Sequence, residues 1–147
     1  MDGLLEKPDM RSYPSQKAVA ARLQKTNPRL SDERADFLAR HWSAQNDAGE
    51  WEILGDPAHK QPGPLPYHVE DIMACWSAIT APTLWVEAAQ TNMWTWMGGE
   101  QEGRAELERR LGHLRDVSCK VIADAGHMLH HDQPVALAQM IEEFLTR

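Results

Sequence analysis

Lys120-Val121-Ile122-Ala123-Asp124-Ala125-Gly126-His127-Met128-Leu129-His130-His131-Asp132-Gln133-Pro134, with the apolar-periodic run Val135 to Leu145 behind it, is the stretch on which the reading of this chain turns. Val121 to Ala123 is a short apolar run with β-branched residues, which predicts a buried strand. Gly126 tolerates backbone angles that other residues resist, so a sharp turn can follow. His127 is therefore expected at the carboxyl end of a strand, where α/β sheets place their reactive groups. Pro134 suits a first helical turn, with Asp132 or Gln133 as its cap. Val135, Ala138, Ile141 and Leu145 recur at helical spacing and are expected to face the sheet.

Working outward, Val69, Ile72, Met73, Trp76 and Ile79 keep the helical period and predict a helix over 69–78. A strand over 83–87 follows, then a helix from about Gly103 to Leu114 and the strand Val117 to Ala123. Strand, helix, strand, helix in that order predicts parallel pairing with a right-handed crossover. Nearer the amino terminus, residues 1–13 read as irregular. Ser15 is placed to cap a helix ending at Asn27-Pro28, and Ser31 to cap another with Asp32 and Glu33 in its first turn. Asn46 to Gly49 reads as a turn, Trp51 to Leu54 as a short extended segment, and Gly55 to Pro66, with four prolines, as loop. Cys75 and Cys119 lie inside apolar patterns and are expected as buried free thiols.

A chain of 147 residues supports one core-bearing domain. Its formal charge of −7 opposes a nucleic-acid or anionic-membrane surface. No apolar run approaches membrane-span length, and Met1-Asp2-Gly3-Leu4-Leu5-Glu6 lacks the basic start and long apolar stretch of a leader. The expectation is a soluble, cytoplasmic protein.

The string from Asp124 to Pro134 resembles the histidine motif that closes the α/β-hydrolase fold, in which a Gly-His step ends a strand and "x-Gln-Pro" or "x-Glu-Pro" opens the last helix. Ala81-Pro82-Thr83-Leu84-Trp85-Val86-Glu87 is similar to the "x-Pro-Thr-Leu-Leu-Val" strand before that family's acid loop, and the spacing of about forty residues between Pro82 and His127 also fits the family. The matching segments cover roughly residues 70–147. The resemblance implies an α/β chain with a partial α/β-hydrolase fold: a helical lid over 1–68, then the last parallel strands and helices over 69–147. It also exposes a gap. Members carry a Gly-x-Ser-x-Gly nucleophile elbow upstream, and none of Ser12, Ser15, Ser31, Ser43, Ser77 or Ser118 stands in such a setting. The expected identity is the carboxyl-terminal part of a hydrolase of about twice this length.

On that resemblance His127 is the general base, because imidazole titrates near neutrality and can take a proton from serine and return it to a leaving group. The alternative is a loop histidine that bonds only backbone. The family's acid follows the Pro82-type strand, yet residues 88–92 read Ala-Ala-Gln-Thr-Asn without a carboxylate. Glu87 and Asn92 are the nearest candidates to orient the imidazole, and an acid on the missing half, or a lost one, stays open. Trp94, Trp96 and Met128 are candidates for an apolar substrate wall, with packing under the lid as the alternative for the tryptophans. Trp42, Trp51 and Trp76 are expected in the core. His130 and His131 beside His127 lack a second ligand cluster, so neither metal nor cofactor is expected. A small-molecule substrate is expected in the full-length parent, and self-association through an open sheet edge in this chain. The competing reading is a non-enzymatic remnant or binding module of hydrolase ancestry.

Overall fold

The computed structural model describes residues 10–61, 63 and 66–147. The expectation of irregular chain over 1–9, and part of the proline-rich loop, lie outside the described residues. The chain divides at Pro66/Tyr67 into two compact units.

In the first unit, α1 (Gln16–Thr26) is capped by Ser15, whose hydroxyl accepts from the Ala18 amide at 3.1 Å. Asn27 ends it in an extended conformation, as the proline behind it demands. Helix α2 (Asp32–Trp42) is capped in the same way by Ser31, with Asp32 and Glu33 set against the positive end of the helix dipole. What the sequence reading did not foresee is a three-stranded antiparallel sheet beside these helices. It comprises β1 (Ser12–Tyr13), β2 (Ser43–Gln45) and β3 (Trp51–Ile53), in the order β1-β3-β2. Strands of two or three residues are too short to show an alternation, so only their pairing defines them. Asn46 builds the β2–β3 turn: its side-chain oxygen accepts from the amides of Ala48 and Glu50, both at 3.0 Å, and Gly49 takes a φ of +79°. Tyr13, Val19, Ala20, Leu30, Ala35 and Ala39 form the core, with Trp51 partly buried against it. Trp42, expected in a core, is exposed at the end of α2.

The second unit runs α3 (Val69–Ser77), β4 (Thr83–Ala88), α4 (Glu100–Leu111), β5 (Val117–Ile122), α5 (Leu129–Asp132) and α6 (Pro134–Leu145). Strands β4 and β5 pair in parallel, Thr83 opposite Val117 and Ala88 opposite Ile122, so both end at the same level. Alternation along β4 then assigns its two faces. Val86 and Ala88 pack with Ile122 and Ala125 beneath Leu137 and Met140 of α6. Trp85 and Glu87 point the other way, toward Trp76 of α3 (ring centroids 6.1 Å apart) and Arg104 of α4.

Three expectations change here. Val135, Ala138, Ile141 and Leu145 do not face the sheet: Val135 is 67 % and Leu145 74 % exposed, while Leu137 and Met140 pack inward. The helix is apolar around most of its circumference, so periodicity alone could not choose the buried side. Within Val121–Ala123 only Ile122 is buried; Val121 is exposed and Ala123 opens the turn. Cys75 and Cys119 are free thiols but exposed, Cys119 sharing with Val121 the face of β5 opposite Ile122.

Candidate active site

His127 lies in the turn between β5 and α5, beyond the carboxyl end of the strand. Backbone bonds tie this turn to the segment leaving β4: the Ala89 amide donates to the Ile122 carbonyl and the Gln90 amide to the Ala125 carbonyl, each at 3.0 Å. The imidazole and the residues after Glu87 therefore share one end of the sheet. Within the turn the Gly126 amide donates to the Asp132 carboxylate at 2.7 Å, and the Gln133 side chain donates to the Asp124 carbonyl at 2.8 Å. Gln133 is the N-cap residue of α6, one of the two the sequence had suggested, but it makes no side-chain cap bond; the side chains of Asp132 and Gln133 instead brace the turn. Asp132, only 4 % exposed, is the functional-looking residue that the sequence reading overlooked. Its signal was an acid close behind a Gly-His step, which reads equally as a helix cap.

The His127 ring is exposed and meets Trp96 edge to face, centroids 5.6 Å apart and planes at 86°. Trp96, 71 % exposed, projects from a 3-10 turn at Met93–Trp96. Trp94 of that turn behaves differently. It is buried, lies under the Arg104 guanidinium (4.8 Å to the ring centroid), and packs so tightly on α4 that a Cβ added at Gly103 would stand 2.6 Å from its ring. Met128 is half-buried, its carbonyl accepting from the amides of His131 and Asp132 at the start of α5.

Neither Glu87 nor Asn92 is engaged with the imidazole. Glu87 accepts from the Trp85 indole at 3.2 Å and pairs with Arg104 at 3.8 Å, because it shares Trp85's face of β4. Asn92 is exposed and precedes the 3-10 turn without a side-chain hydrogen bond, its carbonyl accepting from the Thr95 hydroxyl at 2.7 Å. Of the sequence-predicted residues, the structure brings together His127 and Trp96, sets Met128 next in the chain, and turns Glu87 and Trp94 toward α4.

The rings of His130 and His131 meet at a tilt of 58°, centroids 4.1 Å apart. Burial first, then the neighbouring His130, lowers the His131 pKa, against the opposing pull of Asp132. Among the described residues no group of three or more histidine, cysteine or acidic side chains is arranged to hold a metal ion. A serine–histidine pair does exist away from this turn: Ser77 Oγ lies 3.0 Å from His113 Nδ1 and 2.9 Å from the Met73 carbonyl one helical turn back. The carbonyl can only accept, so it takes the single hydroxyl proton and His113 serves as donor. That polarity is opposite to the one a nucleophile needs.

No protein-family model and no curated protein matches the sequence. Solved structures do match. The thioesterase domain from the curacin biosynthetic pathway superposes with a TM-score of 0.73 at 22 % identity, covering 95 % of this chain and 47 % of that one. An esterase from Mycobacterium tuberculosis gives 0.71 at 21 % identity, covering 100 % and 44 %. E-2-(acetamidomethylene)succinate hydrolase gives 0.67 at 17 %, covering 94 % and 48 %. The chain thus spans less than half the length of these proteins. Parallel strands ending together, a histidine turn beyond the second, and these superpositions identify the chain as a partial α/β-hydrolase fold.

Proposed function

We propose that this chain is the lid and carboxyl-terminal part of a serine-type hydrolase acting on an ester or similar small acyl substrate, and that His127 is its general base. The observation that carries the reading is the place of His127: exposed, beyond β5, braced to the tip of β4. There the imidazole would accept the proton of an attacking hydroxyl and pass it to the leaving group. The hydroxyl and the oxyanion donors belong to sequence outside these 147 residues. Trp96 and Met128 supply apolar surface beside the base, as substrate pockets commonly do.

A second reading, a non-enzymatic remnant or binding module, draws support from the acid position: residues 88–92 hold no carboxylate, and Glu87 is engaged by Arg104 and Trp85. Sequence immediately upstream of Met1 separates the two. An in-frame Gly-x-Ser-x-Gly there, in a longer chain that reacts with a fluorophosphonate and loses roughly 10⁴-fold or more of its turnover on His127→Ala, supports the enzyme. A genuine start with no such element supports the remnant. The 147-residue chain itself is expected to hydrolyse activated esters no faster than buffer. Turnover by it that His127→Ala abolished would mean the nucleophile lies inside the chain after all.

A further inference from the structure

We infer that Asp132 is the positioning residue of the His127 turn. Its carboxylate is nearly sealed from solvent, yet it takes no part in the chemistry proposed above. A buried carboxylate is costly unless hydrogen bonds offset its lost hydration. Here one partner is the Gly126 amide, at 2.7 Å across six residues of chain. That amide belongs to the residue before His127, in a segment that no helix or strand holds. Fixing it fixes where the His127 backbone starts, and so the direction in which the ring leaves the turn. The other end of the link is equally anchored. The Asp132 amide donates to the Met128 carbonyl at 3.1 Å, and Gln133, next in the chain, returns to the Asp124 carbonyl. The Gln133 bond thus closes a loop around His127, Asp124 to Gln133, and the Asp132 carboxylate holds the Gly126 amide inside it. Without the carboxylate, Gly126 and His127 would sample several backbone states, and the edge-to-face contact with Trp96 would be one of many.

This inference deepens the reading of His127 as the base, but its test involves no turnover and so stands or falls separately. Asp132→Ala and Asp132→Asn are compared with the parent 147-residue chain by amide hydrogen exchange and by the nuclear Overhauser effect between the His127 and Trp96 rings. The Ala89 amide, bonded to Ile122 across the strand ends, serves as the internal reference. A hydrogen bond to a charged acceptor is worth about 1.5–3 kcal/mol, so Asp132→Ala is expected to speed Gly126 exchange by roughly 10- to 100-fold relative to Ala89 and to weaken the ring contact. Asp132→Asn, which keeps an acceptor oxygen, is expected to recover part of both. Unchanged Gly126 exchange and an intact ring contact in Asp132→Ala would overturn the assignment. Equal acceleration at Gly126 and Ala89 in both variants would overturn it too, since Asp132 would then serve only general stability.

Discussion

At the scale of single residues, Trp94 and Trp96 differ most, although two positions separate them in the sequence. Trp94 is buried between Arg104 and Gly103, so Trp94→Ala removes a large packed side chain and is expected to cost about 3–5 kcal/mol in urea denaturation. Trp96 touches the imidazole from solvent, so Trp96→Ala should stay within about 0.5 kcal/mol of the parent while shifting the ring proton resonances of His127. Equal stability losses in the two variants would contradict this division. His131 supplies a pH prediction. Its pKa is lower in the folded chain than in the unfolded one, so as pH falls the unfolded state binds the proton first. Its contribution to stability is complete above the unfolded value, about 6.5, declines below it, and levels off under the folded value. The urea midpoint should therefore fall between about pH 7.5 and pH 5.5, and His131→Gln should shrink that fall.

At the scale of elements, the unit that holds Trp96 beside His127 is the 3-10 turn clamped on α4. Arg104 is its hub, covering Trp94 and pairing with both Glu87 and Glu100. Glycine inside a helix normally costs about 1 kcal/mol against alanine, so Gly103→Ala would be stabilising on propensity alone. A Cβ 2.6 Å from the Trp94 ring reverses the sign, because the ring must move out of its packing. A net loss of roughly 1–3 kcal/mol is expected, and a rise in thermal midpoint would show that the indole shifts without cost. Further along α4, Glu106 is bound by Arg109 at 2.8 Å and Arg110 at 2.7 Å. The Arg109 hydrogen bond, followed by that of Arg110, holds its carboxyl down to about 2, so its small contribution is present above the ordinary carboxylate value and is lost only as pH falls toward that figure.

For the whole molecule, the consequence is an unfinished sheet. Strands β4 and β5 pair only with each other among the described residues, and Val121, Val135, Ile141 and Leu145 are exposed. An open strand edge with apolar surface around it invites pairing with another chain. Sedimentation at rising concentration is expected to show self-association, and a monodisperse, highly stable monomer would count against the partial-fold reading. No helix among the described residues is long and apolar enough to cross a membrane.

Without foreseeing α5 or the 3-10 turn at Met93–Trp96, the sequence alone determined the order of α3, β4, α4, β5 and α6, both serine caps, and the Gly126 turn with Pro134 opening the last helix. Each depends on local chemistry: a hydroxyl before a helix, a proline ring that fits its first turn, a glycine where the chain bends. It could not say which side of α6 is buried, because that helix is apolar on both. Nor could it show that Glu87 faces Arg104, that Trp94 and Trp96 part ways, or that Asp132 holds the Gly126 amide instead of capping a helix. Those outcomes depend on partners far along the chain or across a turn, and pairing energies of that kind exist only once the backbone has brought the groups together.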